Sequence, residues 1–278
     1  MISRLAVGLV LAFGGCARVE RAALPEATLL DPVWSVSAPL PGVDVDHAPW
    51  DAFLSRYLTA ASDGVSRLAY AEVAIEDRAA LGAYLDRLAH VDPRELTRDQ
   101  QLAYWINLYN AQTVAIVLDA YPVGSIRAIT DGLLSFGPWD RQVVTVNGTP
   151  LSLNDIEHRI IRPVFAEPRI HYALNCAAVG CPDLRGEAWR AIGLDDALAA
   201  AEHAYVNDLR GVALDLGGRL TLSKIYVWFR EDFGADEAAV IAHVAAAAEP
   251  RLRRRLEGRT RVDAYAYDWS LNDQATAP

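Results

Sequence analysis

The spacing of apolar residues divides the chain into helices and hairpins. Pro49 suits the first turn of a helix carrying Trp50, Phe53, Leu54, Tyr57 and Leu58 at helical intervals, and Leu81, Tyr84, Leu85 and Leu88 mark a second amphipathic helix. Thr97-Arg98-Asp99-Gln100 is a capping-box pattern and opens a long helix that stops before Tyr121-Pro122. Apolar residues fall on all sides of this helix, which predicts burial at the centre of the fold.

Two stretches alternate as strands do. Gln142 to Val146 and Thr149 to Leu153 flank Asn147-Gly148, a pair that tolerates the positive φ of a type I′ turn, and Pro150 confines its strand to an edge. Val212, Leu214 and Leu216 form the first arm of another hairpin, turning at Gly217-Gly218 and returning through Leu220 and Leu222. Between the hairpins, Asn154 and Glu157 read as the cap of a short helix stopped by Arg162-Pro163, and Asp195 begins a helix reaching about Leu209. Arg169 to Pro182 reads as a buried strand breaking into a glycine-containing turn. Ser223 caps a helix running out at Gly234, and Asp236 caps an alanine-rich helix ending near Pro250. Helices alternating with antiparallel hairpins, without repeated βαβ units, predict a single α+β domain over residues 49–272, followed by a short tail at 273–278.

Composition supports a large core, with 52% hydrophobic residues and seven tryptophans. The net charge of −10 argues against nucleic acid as the main partner, and no basic tract changes that expectation. At the N-terminus, Arg4, an apolar run from Leu5 to Phe13 and Gly14-Gly15-Cys16 read as an export signal. The run is similar to a bacterial lipoprotein signal, which implies a lipid on Cys16 as the membrane partner and a location in the cell envelope, facing the periplasm or exterior. Plain secretion is the alternative, because Phe13 departs from the usual leucine. Residues 17–48, with Pro25, Pro32, Pro39 and Pro41, read as a tether.

Candidate chemistry concentrates around His171, Asn175, Cys176 and Cys181. A thiol nucleophile at Cys176 would need a base and an orienting group. In a strand His171 and Cys176 point to opposite faces up to ~17 Å apart at ~3.3 Å per residue, so His158, beside Glu157, is the preferred base. Asn107 and Asn110 share one face of the buried helix and either pin loops or orient that base. His171, Asn175, Trp105 and Asp232 complete the candidate site as binding residues, Trp105 having core packing as its plainer role. An export signal equally favours a structural Cys176–Cys181 disulfide in a non-catalytic binding module. A third reading is zinc held by His158, His171, Cys176 and Cys181, although no cofactor is expected from their spacing.

The blocks Tyr104 to Ala111, Leu151 to His158, His171 to Pro182, Leu222 to Phe229 and Tyr267 to Asn272 together resemble the family called domain of unknown function 547. The resemblance implies that these blocks belong to one domain and supplies no mechanism. The order of histidine, asparagine and cysteine is also similar to rearranged papain-like thiol hydrolases, which implies a thiol-dependent hydrolase or acyl transferase acting on a small molecule or peptide.

Overall fold

The computed structural model describes residues 20–21, 24–130 and 137–277. Cys16 and the export signal lie outside these residues. Helix α1 (Ala48–Tyr57) carries Pro49 in its first turn as expected and leads into the hairpin β1 (Leu58–Ala60) and β2 (Ser66–Leu68). Helix α2 (Ile75–Ala89) buries Leu81, Tyr84, Leu85 and Leu88 against α3 (Arg98–Ala120). The capping box forms: Thr97 accepts from the Gln100 amide, and Gln100 Oε1 accepts from the Thr97 amide at 2.9 Å. Every residue of α3 from Gln101 to Val114 is buried, so the helix forms the axis of the larger core.

Beside it, β3 (Gln142–Val146) and β4 (Thr149–Ser152) pair around Asn147 and Gly148, both at positive φ, with Pro150 in a two-stranded sheet where either strand is an edge. The chain then enters a helical run and reaches α4 (Arg162–Phe165) and, after the cysteine loop, α5 (Leu194–Val206). A smaller core collects β5 (Val212–Leu214), β6 (Leu220–Ser223), α6 (Ile225–Trp228), α7 (Arg230–Phe233), α8 (Glu237–Ala247), α9 (Pro250–Leu256) and β7 (Ala264–Ala266). Ala201 and Trp269 pack against both cores and join them into one α+β domain.

Several expectations need correction. Strand β7 adds to β6 in parallel, so the sheets are not purely antiparallel. The helix predicted from Ser223 to Gly234 breaks at Phe229, and a further helix, α9, begins on Pro250 where the sequence suggested an end. Residues 24–47 do not hang as a tether. Trp34 is buried edge-on against Trp105, and the Ala38 and Leu40 amides donate to the Arg94 and Glu95 carbonyls. Large aromatic area offsets the ordering of this proline-containing segment. No helix among the described residues is long and apolar enough to cross a membrane.

Candidate functional site

The helical run after β4 is where local sequence shapes the chemistry. Asn154 does not cap it, its amide donating instead to Asp140. Ser152 takes that role, its hydroxyl oxygen accepting from the Asp155 amide at 3.1 Å, while the Asp155 carboxylate reaches back to accept from the Ser152 amide at 3.0 Å. Arg162-Pro163 does not stop the helix either. Asp155–Ile161 forms a π-helix, with the Arg162 amide donating to the Glu157 carbonyl, and the chain continues through Pro163 to Phe165. A proline cannot donate to the carbonyl four residues back and crowds it, and a widened turn relieves that conflict. The Arg159 carbonyl, which Pro163 cannot serve, accepts from the Leu30 amide at 2.9 Å.

This turn places Glu157, His158 and Arg162 inside the protein. Arg162 donates Nε to Asp232 Oδ2 at 2.6 Å, Nη2 to Asp232 Oδ1 at 3.1 Å and to Glu231 at 2.9 Å, and Nη1 to His158 Nδ1 at 3.2 Å. A guanidinium only donates, so His158 Nδ1 is the acceptor and its proton resides on Nε2. Burial and the adjacent guanidinium hold His158 well below the ordinary imidazole value. It is therefore neutral, and its 3.9 Å approach to Glu157 is not an ion pair. His171 stacks on Phe229 with ring centroids 4.2 Å apart and binds Asp232 Oδ2 through Nε2 at 2.7 Å. Burial also lowers His171, against the pull of Asp232. Burial pushes Asp232 up, but hydrogen bonds from His171 and Arg162 outweigh it and hold the carboxyl well below its usual range.

Glu157 behaves oppositely. Burial raises it to about 7, with Arg162 and the Tyr109 hydroxyl opposing the rise. A carboxyl with a raised folded value stabilises the protein fully below its unfolded value, and that contribution is lost as pH rises through the folded one. The unfolding free energy of wild type minus that of Glu157→Gln should therefore fall by about 3 kcal/mol as pH climbs from 4.5 to 7. The difference isolates Glu157 from the buried histidines, and a flat difference would refute the raised value.

The cysteine stretch is not a strand. Pro168–Tyr172 is a 3₁₀ helix capped by Glu167, whose carboxylate accepts from the Arg169 amide, and an irregular loop follows. The apolar residues Ile170, Tyr172, Ala173 and Leu174 are buried as expected, but by helical turns and loop packing. Strand parity therefore says nothing about His171 and Cys176. Cys176 is joined to Cys181 by a disulfide. The Cys176 amide donates to Cys181 Sγ at 3.0 Å, and the Tyr267 hydroxyl lies 3.0 Å from both sulfurs. Among the described residues no hydrogen bond or ion pair joins either histidine to Cys176.

The loop is fixed by amides. Asn110 donates to the Ala173 carbonyl at 2.9 Å and accepts from the Asn175 amide at 2.8 Å. Asn175 Oδ1 accepts from the Ala177 amide and its Nδ2 donates to the Pro182 carbonyl, which holds Ala177 at φ +57°. Closing residues pair with the loop through Val179 to Ser270 and Gly180 to Asp268. A Cβ on Gly180 would sit 2.7 Å from the Asp268 nitrogen, so only glycine permits this approach.

Glu157, His158, His171 and Asp232 thus assemble around Arg162, while Asn110, Asn175 and Cys176 form a second group linked to Tyr267. Asn107 joins neither: it donates to the Trp189 carbonyl at 2.8 Å and accepts from the Trp189 amide at 3.0 Å. Trp105 packs against Trp34 and Tyr104, 1% exposed, and presents nothing to a ligand. No group of three or more histidine, cysteine or carboxylate side chains among the described residues could hold a metal ion, so the zinc arrangement does not form there. Arg162 and Tyr267 were missed in the sequence. The unusual Arg-Pro inside an otherwise helical run, and the tyrosine in the closing block, were the available signals.

No curated protein and no solved structure matches the chain. Residues 93–206, which hold α3, the β3–β4 hairpin, the π turn, the cysteine loop and α5, match the family described as Protein of unknown function, DUF547; over that stretch the chain is similar to this family, and the Leu222 and Tyr267 blocks lie outside the match.

Proposed function

We propose that the protein is an exported, non-catalytic binding module of the bacterial cell envelope, lipid-anchored through Cys16, in which the Cys176–Cys181 disulfide shapes a recognition loop. The observation that carries this reading is the bonding of Cys176 to Cys181, with a tyrosine rather than a histidine as its polar neighbour. A sulfur in a disulfide is not a nucleophile, and an oxidising compartment is where such a bond persists. The candidate binding residues His171 and Asn175 are buried and already engaged, His171 with Asp232 and Asn175 with the Pro182 carbonyl and the Ala177 amide of the loop. A hollow of about 280 Å³ lined by Gly180, Arg210, Tyr267 and Asp268 lies beside the loop and would accept a small molecule or the side chain of a peptide.

Native protein should resist iodoacetamide until reductant is added, and reduction should then expose two thiols. Closing so small a loop contributes roughly 2 kcal/mol in the chain-entropy account, so Cys176→Ser with Cys181→Ser should lower the unfolding free energy by that amount and leave the fold intact. Spontaneous labelling of Cys176 at mildly acidic pH, without reductant, would instead restore the thiol-hydrolase reading.

A further inference from the structure

Helix α9 reverses the charge of the surface around it. Residues 250–261 contain six arginines and one glutamate, a local charge of +5 in a chain whose net charge is −10. This is the basic tract that the sequence reading did not register. Leu252 and Leu256 point inward, half-buried and buried, while Arg251, Arg253, Arg254 and Arg255 are exposed. Arg251, Arg254 and Arg255 are three and four residues apart and share one helical face.

That face is continuous with the tip of the β5–β6 hairpin. Arg255 donates to the Leu214 and Asp215 carbonyls at 2.9 and 2.6 Å, and Arg259 donates to the Gly218 carbonyl. The hairpin does not extend through Leu216 as its alternation suggested. Asp215 leaves the ladder and accepts from the Arg219 amide at 2.9 Å, so Leu216 projects from the turn with 105% relative exposure. Arg219, Arg251, Arg254 and Arg261 are also exposed and make no ion pair or side-chain hydrogen bond among the described residues.

Unpaired cations around a fully exposed leucine match the interfacial zone of a bilayer, where cations meet lipid phosphates and an apolar side chain enters the headgroup boundary. The chain's entry points the same way. Lys224 holds Glu20 at 2.8 Å, Glu231 holds Arg21 at 2.9 Å, and Leu24 packs on the smaller core, which also carries α9. Only three residues separate Glu20 from Cys16, four steps with a reach of roughly 14 Å, so an anchored chain keeps this core near the membrane.

We infer that the arginine face of α9 and Leu216 at the β5–β6 turn form a docking surface for anionic phospholipid. The inference rests on the proposed envelope location and is supported by an anchor at Cys16, but binding by this surface does not require the lipid. Its test therefore uses the full chain as Cys16→Ser, which carries no lipid, sedimented with phosphatidylcholine vesicles and with mixed phosphatidylcholine–phosphatidylglycerol vesicles. Binding should favour the anionic vesicles and weaken with salt. Arg251→Gln with Arg254→Gln should reduce the anionic-vesicle affinity about thirtyfold, a factor of about five per cation. Leu216→Ser should reduce it several-fold at any salt concentration. Neither variant disturbs a hydrogen bond of the fold, and an unchanged thermal melt would verify that. Equal binding of wild type and the double variant to anionic vesicles would overturn the inference. So would a double variant that loses affinity for duplex DNA alone, which would make the patch a nucleic-acid site. Lipidation is read separately, from the intact mass of the wild-type chain.

Discussion

Arg162→Leu is expected to destabilise the protein by about 3–5 kcal/mol, the range for removing one partner of a buried ion pair. The guanidinium is almost wholly buried and directs its donors at Asp232, Glu231 and His158. Leucine fills part of the volume but leaves Asp232 with the His171 hydrogen bond in place of the guanidinium fork and removes the donor from His158 Nδ1. Arg162→Lys should recover only part of the loss, because an ammonium cannot reproduce the bidentate fork on Asp232. The pH dependence provides a second check. Asp232 has a depressed folded value, so its stabilisation is present above the unfolded carboxylate range and is lost as pH falls through the folded value. The deficit of Arg162→Leu should be largest near neutral pH and shrink in acid, as read from urea unfolding across that range. A deficit below about 1 kcal/mol at neutral pH would mean that solvent reaches the cluster and screens it.

A second pH effect runs through the histidines. His47, at the start of α1, is held to about 4 mainly by burial, and His158 and His171 are also lowered. Groups of this kind contribute stability above the unfolded imidazole value and lose it as pH falls towards their folded values, because only the unfolded chain takes up the proton. This acid sensitivity opposes the Glu157 effect over part of the same range.

What could be read from the sequence was whatever short-range chemistry decides. The Thr97–Gln100 cap and the Asn147-Gly148 turn were legible because their partners lie within four residues, and both formed as expected. The cysteine stretch was misread because Ile170, Ala173 and Leu174 satisfy a buried strand and a buried 3₁₀ turn equally well over so few residues. Pro163 reads locally as a stop because the partner of the freed Arg159 carbonyl, the Leu30 amide, comes from more than a hundred residues away. The cluster around Arg162 was only half visible. Asp232 is legible as a candidate binding residue, yet nothing local indicates that an arginine seventy residues earlier holds it. The burial of Asn107 and Asn110 followed from the all-apolar helix, but their partners did not. Although they share a face, one holds residue 189 and the other holds residues 173 and 175.

That divergence makes Asn110→Ala a discriminating experiment. Truncation leaves the Ala173 carbonyl and the Asn175 amide buried without their partner, at about 1–3 kcal/mol each, so a total loss of roughly 2–6 kcal/mol is expected. The damage should be local before it is global. Asn175 orders the disulfide loop by holding Ala177 in a left-handed conformation, which is strained for a residue with a Cβ and persists only while its surroundings enforce it. Amide hydrogen exchange at residues 175–177 should therefore accelerate under native conditions, and iodoacetamide labelling should require less reductant than in wild type. Asn107→Ala removes two buried hydrogen bonds with the Trp189 backbone and a contact with His47 Nε2 at 3.3 Å, and should cost at least as much in total while leaving exchange at residues 175–177 unchanged. If both variants accelerate exchange there equally, the loop senses only global stability, and Asn110 has no special part in presenting it.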